Sequence, residues 1–261
     1  MQKRSGNKGI PLSVSQNFLT QSHTIWGLLH QSSITNRDHV LEIGAGKGHL
    51  TRALIQRAHR VTAYELDAIL FQKLSQKFAD TPNLTLFQGD FLSMPLPQKE
   101  PYKVFSNIPF SITTPIVNKI TTAPNPPIDT YLLVEWGAAK RFCGQPVENH
   151  ASLLLKPYFH CSILSRVPRT AFHPMPKVDA ALLHLEKKQT SDLPPAQRQA
   201  FSRFIQHHQR TGFSRGAWLT KKQVSTALRL ASLPPLEQSA TLSYVQWLCL
   251  FRCCRQMGRG H

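Results

Sequence analysis

From His39 to about Lys187, apolar runs of strand length alternate with segments whose apolar residues recur at helical spacing. Val40-Leu41-Glu42-Ile43 reads as a buried strand ending at Gly44, and Leu50, Ala53 and Leu54 follow on one helical face. Residues 61–64, 84–87, 104–105 and 131–134 read as further strands, and Leu70, Leu74 and Phe78 mark a helix between the second and third strands. Thr114 followed by Pro115 reads as a helix cap and first turn. Residues 162–167 and 180–185 read as an antiparallel pair that completes the sheet. Such alternation predicts a mostly parallel, doubly wound, Rossmann-like α/β sheet.

The pattern changes near Thr190. Phe201, Phe204, Ile205 and His208 share a helical face, as do Val224, Ala227, Leu228 and Ala231, and again Tyr244, Leu248 and Phe251. The expected organisation is a flexible basic arm over 1–13, a catalytic domain over 14–188 and a small helical domain over 189–261. The net charge of +17 points to a polyanionic partner, nucleic acid before others. From Glu186 to His261 there are twelve Lys/Arg against three Asp/Glu, so the surplus is strong in the helical part. Phe213, Arg215, Trp218, Lys221 and Lys222 interleave aromatic and basic residues there, which suits either an RNA-tracking surface or a loop tucked on the core. His207 and His208 read as a solvated or RNA-facing pair. No apolar run reaches membrane-span length, and the first dozen residues lack the apolar stretch of a signal peptide. Five cysteines without a paired Cys-x-x-Cys fit free thiols in a reducing compartment, with no metal expected. The expected setting is therefore cytoplasmic, without a membrane partner, and the chain is expected to act as a monomer.

Four strand ends carry candidate chemistry. Glu42-Ile43-Gly44-Ala45-Gly46-Lys47-Gly48 joins a strand to a helix, where Gly44 and Gly46 let a ligand approach the backbone. Glu65 ends the second strand, where a carboxylate can accept from both hydroxyls of a ribose; Asp67 is the alternative, or a helix cap. Asp90 ends the third strand and can accept from an exocyclic amine, or serve as a turn residue bonding its own backbone. Three such strand ends in order favour one adenosine-type ligand. Asn107-Ile108-Pro109-Phe110 follows the fourth strand. An aromatic amine is a poor nucleophile because its lone pair is delocalised into the ring. The Asn107 side-chain oxygen and the Ile108 carbonyl can accept its two protons, Pro109 fixes the turn, and Phe110 offers a face for an extruded base.

These residues, in this order, resemble the rRNA adenine N6-methyltransferases, and more closely the Erm group that confers resistance to macrolides, lincosamides and streptogramin B. Residues 15–19, 134–141 (Val-Glu-Trp-Gly-Ala-Ala-Lys-Arg) and 172–178 (Phe-His-Pro-Met-Pro-Lys-Val) add further matching motifs. The resemblance implies a methyltransferase sheet with a helical RNA-binding domain, S-adenosylmethionine as cofactor, and 23S rRNA or its precursor as partner. It implies cofactor contacts from Asn17, Leu19, Gly44, Gly46, Glu65, Asp90 and Asn107. Asn107, Ile108, Pro109 and Phe110 would be catalytic. Phe172 would stack on the other face of the base, and Lys140, Arg141, Arg215, Lys221 and Lys222 would face RNA. The family's commonest residue at position 110 is Tyr, where this chain has Phe. Small-subunit rRNA dimethylases share most motifs, but their Tyr-Gly-x-Leu-Ser-Val-like stretch is replaced here by Asn149-His150-Ala151-Ser152-Leu153-Leu154.

Overall fold

The computed structural model describes residues 17–213, 218–236 and 241–257. The expected basic arm and Arg215 lie outside them. Two compact units are present. One runs through Trp136 and resumes over Leu164–His184; the other comprises Gly137–Ile163 and the chain from Leu185 onward.

The first unit opens with β1 (Phe18–Leu19) and α1 (Ser22–His30). There follow β2 (His39–Ile43), α2 (His49–Arg57), β3 (Arg60–Glu65), α3 (Ala68–Lys77), β4 (Leu84–Gln88), β5 (Lys103–Asn107), α4 (Thr113–Thr122) and β6 (Asp129–Glu135). The strands β2, β3 and β5 are buried nearly throughout, which explains their continuous apolar runs. β2 pairs in parallel with both β3 and β5, β3 with β4, and β5 with β6. With β7 (Phe159–Val167) and β9 (Ala180–Lys187), the sheet order is β4-β3-β2-β5-β6-β9-β7. The chain winds outward from β2 to β4, then returns to β5 on the other side. Between the carboxyl ends of β2 and β5 lies the point where the order reverses, the place where open α/β sheets bind ligands.

The core of this unit joins Leu29 and Leu54 of the helices to Val40, Phe105, Tyr131 and Leu133 of the strands. α4 begins at Thr113, one residue before the expected cap, with Ile112 at the cap position. Pro115 still falls in the first turn, where its missing N–H costs nothing. A second, two-stranded sheet was not anticipated: β1 pairs antiparallel with β8 (Phe172–His173), Phe18 opposite His173 and Leu19 opposite Phe172. Two-residue strands leave no periodicity to read.

In the helical unit, α6 (His150–Leu155), α7 (Arg198–Thr211), α8 (Lys221–Leu230) and α9 (Tyr244–Gln256) share a core of Leu153, Leu193, Phe201, Phe204, Ile205, Val224, Leu228, Trp247 and Phe251. Leu153 of α6 explains why Gly137–Ile163 groups with the C-terminal helices. Capping boxes start α8 at Thr220 with Gln223 and α9 at Ser243 with Gln246. Ala231 is the C-cap of α8 and is exposed. His208 is not a solvated residue: it is buried, stacks on Phe213 at 4.2 Å, and faces the Gly212 carbonyl through Nδ1 at 3.3 Å. Phe213 and Trp218 pack on Phe204 at 6.1 and 5.8 Å, which places these aromatics on the core. Lys221 and Lys222 are exposed. No helix among the described residues is long and apolar enough to cross a membrane.

Candidate active site

The turn after β2 is built from residues that only glycine satisfies. Gly44, Gly46 and Gly48 have φ of 75°, 57° and 75°. A Cβ at Gly46 would stand 2.7 Å from Phe18 Cε1, so the ring of Phe18 lies directly on the bare backbone. Lys47 Nζ sits 4.9 Å from the centroid of the same ring. Glu65, the last residue of β3, is buried, and each carboxylate oxygen takes one backbone N–H: Gly46 N donates at 2.7 Å and Asp67 N at 2.9 Å. The carboxylate thereby fixes the glycine turn while each oxygen keeps a second lone pair for a ligand hydroxyl. Asp67 is occupied otherwise. Its Oδ1 caps α3, accepting from Ile69 N and Leu70 N, and it is exposed.

At the end of β5, Asn107 Nδ2 donates to the Asn17 carbonyl at 2.7 Å. That bond commits the donor end of the amide and turns its acceptor end, Oδ1, away from Asn17. The Pro109 carbonyl accepts from Ile112 N at 3.1 Å and the Phe110 carbonyl from Thr113 Oγ1 at 3.0 Å. Both are therefore engaged in the turn that starts α4, which favours Ile108 as the backbone acceptor for a ligand.

One cavity gathers most of these groups. Asn17, Leu19, Gly44, Gly46, Glu65, Asn107, Ile108, Pro109 and Phe110 all line it. Asp90 and Phe172 do not. Asp90 is exposed, and its Oδ1 accepts from Leu92 N at 2.9 Å in a local turn. Phe172 is 4% exposed and packed within the core of the first unit, a position that offers no open face to a base. Lys140 and Arg141 lie on α5 (Trp136–Cys143), Arg141 exposed and Lys140 half-buried. They belong to the helical unit, as do Lys221 and Lys222.

The cavity also holds residues the candidate set omitted: Phe18, Glu42, Lys47 and His49. Glu42 is the notable one. It is 1% exposed, and its Oε2 has no hydrogen-bond partner. Burial, then the neighbouring Glu65 carboxylate, push its carboxyl up to about 8, against the pull of Thr51. A charged residue inside the apolar run Val40–Ile43 was the signal available in the sequence. Among the described residues, no group of His, Cys, Asp and Glu could hold a metal ion.

Residues 10–211 match the model of the ribosomal RNA adenine dimethylase family. The chain belongs to that family. An rRNA adenine N-6-methyltransferase from Lysinibacillus sphaericus is 35% identical over 91% of this chain and 93% of its own. A ribosomal RNA small subunit methyltransferase A from Synechococcus is 34% identical over 81% of this chain and 78% of its own. The 23S rRNA methyltransferase ErmE has a crystal structure that superposes with a TM-score of 0.79 at 28% identity, covering 92% of this chain and 100% of that one. A dimethyladenosine transferase from Plasmodium falciparum shares the fold at TM-score 0.75 and 19% identity. Family membership makes the chain an S-adenosylmethionine-dependent rRNA adenine N6-methyltransferase, with the Rossmann-like sheet expected of it. The buried Glu65 on the glycine turn suits the ribose of such a cofactor, and the Phe18 ring against Gly46 shows how closely a planar group can approach that backbone.

Proposed function

We propose that this enzyme methylates N6 of an unpaired adenine in 23S rRNA or its precursor, as a cytoplasmic monomer, and so confers resistance to macrolide, lincosamide and streptogramin B antibiotics. The observation that carries the chemistry is the anchored Asn107 amide beside Glu65 and the glycine turn in one cavity. The likeness to ErmE over that chain's entire length supports the choice of 23S rRNA.

Asn17, Leu19, Gly44, Gly46, Glu65 and Asn107 would hold the cofactor, with Glu65 accepting from the ribose hydroxyls. Asp90 would accept from an exocyclic amine through Oδ2 or the second lone pair of Oδ1. When bound, S-adenosylmethionine supplies a methyl carbon already activated by its sulfonium. Asn107 Oδ1 and the Ile108 carbonyl would accept hydrogen bonds from the two N–H groups of the target amine, which localises the lone pair on nitrogen. Positive charge then grows on that nitrogen, and the two fixed dipoles stabilise it without reorganising. Pro109 holds the turn, and the product's extra proton leaves to water. An unpaired adenine is expected because the base must leave its stack to reach Phe110. Phe172 would meet the base only if its packing opens. Lys140, Arg141, Arg215, Lys221 and Lys222 would hold RNA phosphates, which position without specifying.

Phe110→Ala is expected to weaken RNA substrate binding by about 1–3 kcal/mol, the worth of one base–aromatic stack. Phe110→Tyr should retain single methylation; a steep loss in Tyr, read by single-turnover transfer, would show a pocket shaped around Phe. The Synechococcus relative favours a second reading, methylation of small-subunit rRNA. Expression in a drug-sensitive bacterium, with mass spectrometry of both large rRNAs, separates them. Methylated 23S rRNA with raised lincosamide resistance is the expected result. Unchanged susceptibility with new methyl groups on 16S rRNA would establish the second.

A further inference from the structure

Glu42 has no part in the chemistry above, yet it lines the same cavity as Glu65 and Asn107. It stands next to last in β2, at the reversal point of the sheet, almost wholly removed from solvent and with one oxygen unpartnered. An isolated carboxylate in such a place is costly, so the group keeps its proton while nothing nearby offsets the charge. Thr51 on α2 is the polar neighbour, and its pull on the carboxylate is weaker than the cost of burial. The charged and titratable groups around the cavity are Glu65 from β3, Lys47 from the glycine turn and His49 from the start of α2. β5 contributes the neutral Asn107. Glu65 disfavours a second negative charge beside it.

The methyl donor carries a sulfonium and an ammonium against one carboxylate, a net positive charge. The spent product has a neutral thioether sulfur in place of the sulfonium. Placing a cation near a buried acid favours ionisation of that acid; removing the cation reverses it. Resting on the reading that this cavity holds the cofactor, we infer that Glu42 exchanges one proton with solvent in each cycle. It is neutral in the free site, ionised beside the charged donor, and neutral again with the spent product. On donor binding the proton goes from the carboxyl to water. After transfer, the proton lost by the target amine goes to water separately, and Glu42 takes one back from solvent. The carboxyl thus favours the charged donor over its uncharged-sulfur product, and Glu42 is a positioning and discriminating residue, since it forms no bond to the reacting atoms.

Isothermal titration calorimetry of the full chain with S-adenosylmethionine, in phosphate and in Tris at pH 7, counts the protons exchanged. Wild-type protein is expected to release close to one proton more than Glu42→Gln. The donor's own ammonium and His49 contribute equally to both, so the difference isolates Glu42. S-adenosylhomocysteine should release markedly fewer protons from the wild type. The wild-type Kd for the donor should fall relative to that of Glu42→Gln as pH rises from 6 to 8, by at most about tenfold per unit, and the ratio should flatten above about 8. Circular dichroism establishes that the variant is folded. Should it not fold, equal proton release for donor and product in the wild type overturns the proposal. Equal proton counts in wild type and Gln, with donor binding that Glu65→Gln weakens, overturn the role of Glu42 alone. Equal counts with donor binding indifferent to Glu65→Gln overturn the cofactor placement as well.

Discussion

Asn107→Ala is expected to lower the rate of methyl transfer by on the order of a hundredfold or more, the usual cost of losing one preorganised dipole aimed at developing charge. The alanine removes Oδ1, which the structure turns away from Asn17, and with it one of the two acceptors proposed for the target amine. It also removes the Nδ2 donor to the Asn17 carbonyl, so the segment before β1 loses an anchor. Cofactor affinity should therefore fall by less than turnover does. Single-turnover transfer to RNA under saturating cofactor separates the two effects. Near-normal turnover in a folded variant would remove Asn107 from the chemistry.

Glu65→Gln should weaken cofactor binding by roughly ten- to a hundredfold, the scale of one lost hydrogen bond to a charged group. The reason lies in the backbone. Both carboxylate oxygens already accept an N–H, one from Gly46 and one from Asp67. A glutamine must point its own NH2 at one of these donors. Whichever way the amide turns, one backbone N–H is left facing a donor and one ribose acceptor disappears. Calorimetry on a variant whose folding is checked by circular dichroism reads the loss directly. Unchanged affinity would place the ribose elsewhere in the cavity.

The strands β2, β3 and β5 were legible because burial on both faces writes them as apolar runs, and the helices because their buried residues recur on one face. The place of Glu65 at the end of β3 was also legible, and the structure puts Asp67 in the capping role that its sequence position allowed. Other features have no local signature. Asp90 looks alike in sequence whether it faces a ligand or closes a turn, and its bond to Leu92 N decides the geometry seen here. Phe172 is buried in a core it shares with Leu19, its partner across the small sheet, and so long a separation in the chain hides such a contact from a local reading. That Gly137–Ile163 groups with the helical unit follows from Leu153 reaching the core around Phe204, a contact between distant parts of the chain. Glu42 lies in β2 as its apolar neighbours indicate, and a charge inside that run was the one hint that it also lines the cavity.

The pairing of β1 with β8 sets a schedule for the making of the enzyme. Leu19 waits for Phe172 and Phe18 for His173, and Asn17, which steadies the Asn107 amide, lies immediately before them. During synthesis the amino-terminal stretch emerges first, but its partner strand emerges only after β2 through β6 have left the ribosome. The glycine turn and Glu65 can then be in place before the Asn107 amide has its anchor. For an enzyme whose substrate is the RNA of the machine that synthesises it, catalytic competence arrives late in translation, when most of the nucleotide-binding sheet is already complete.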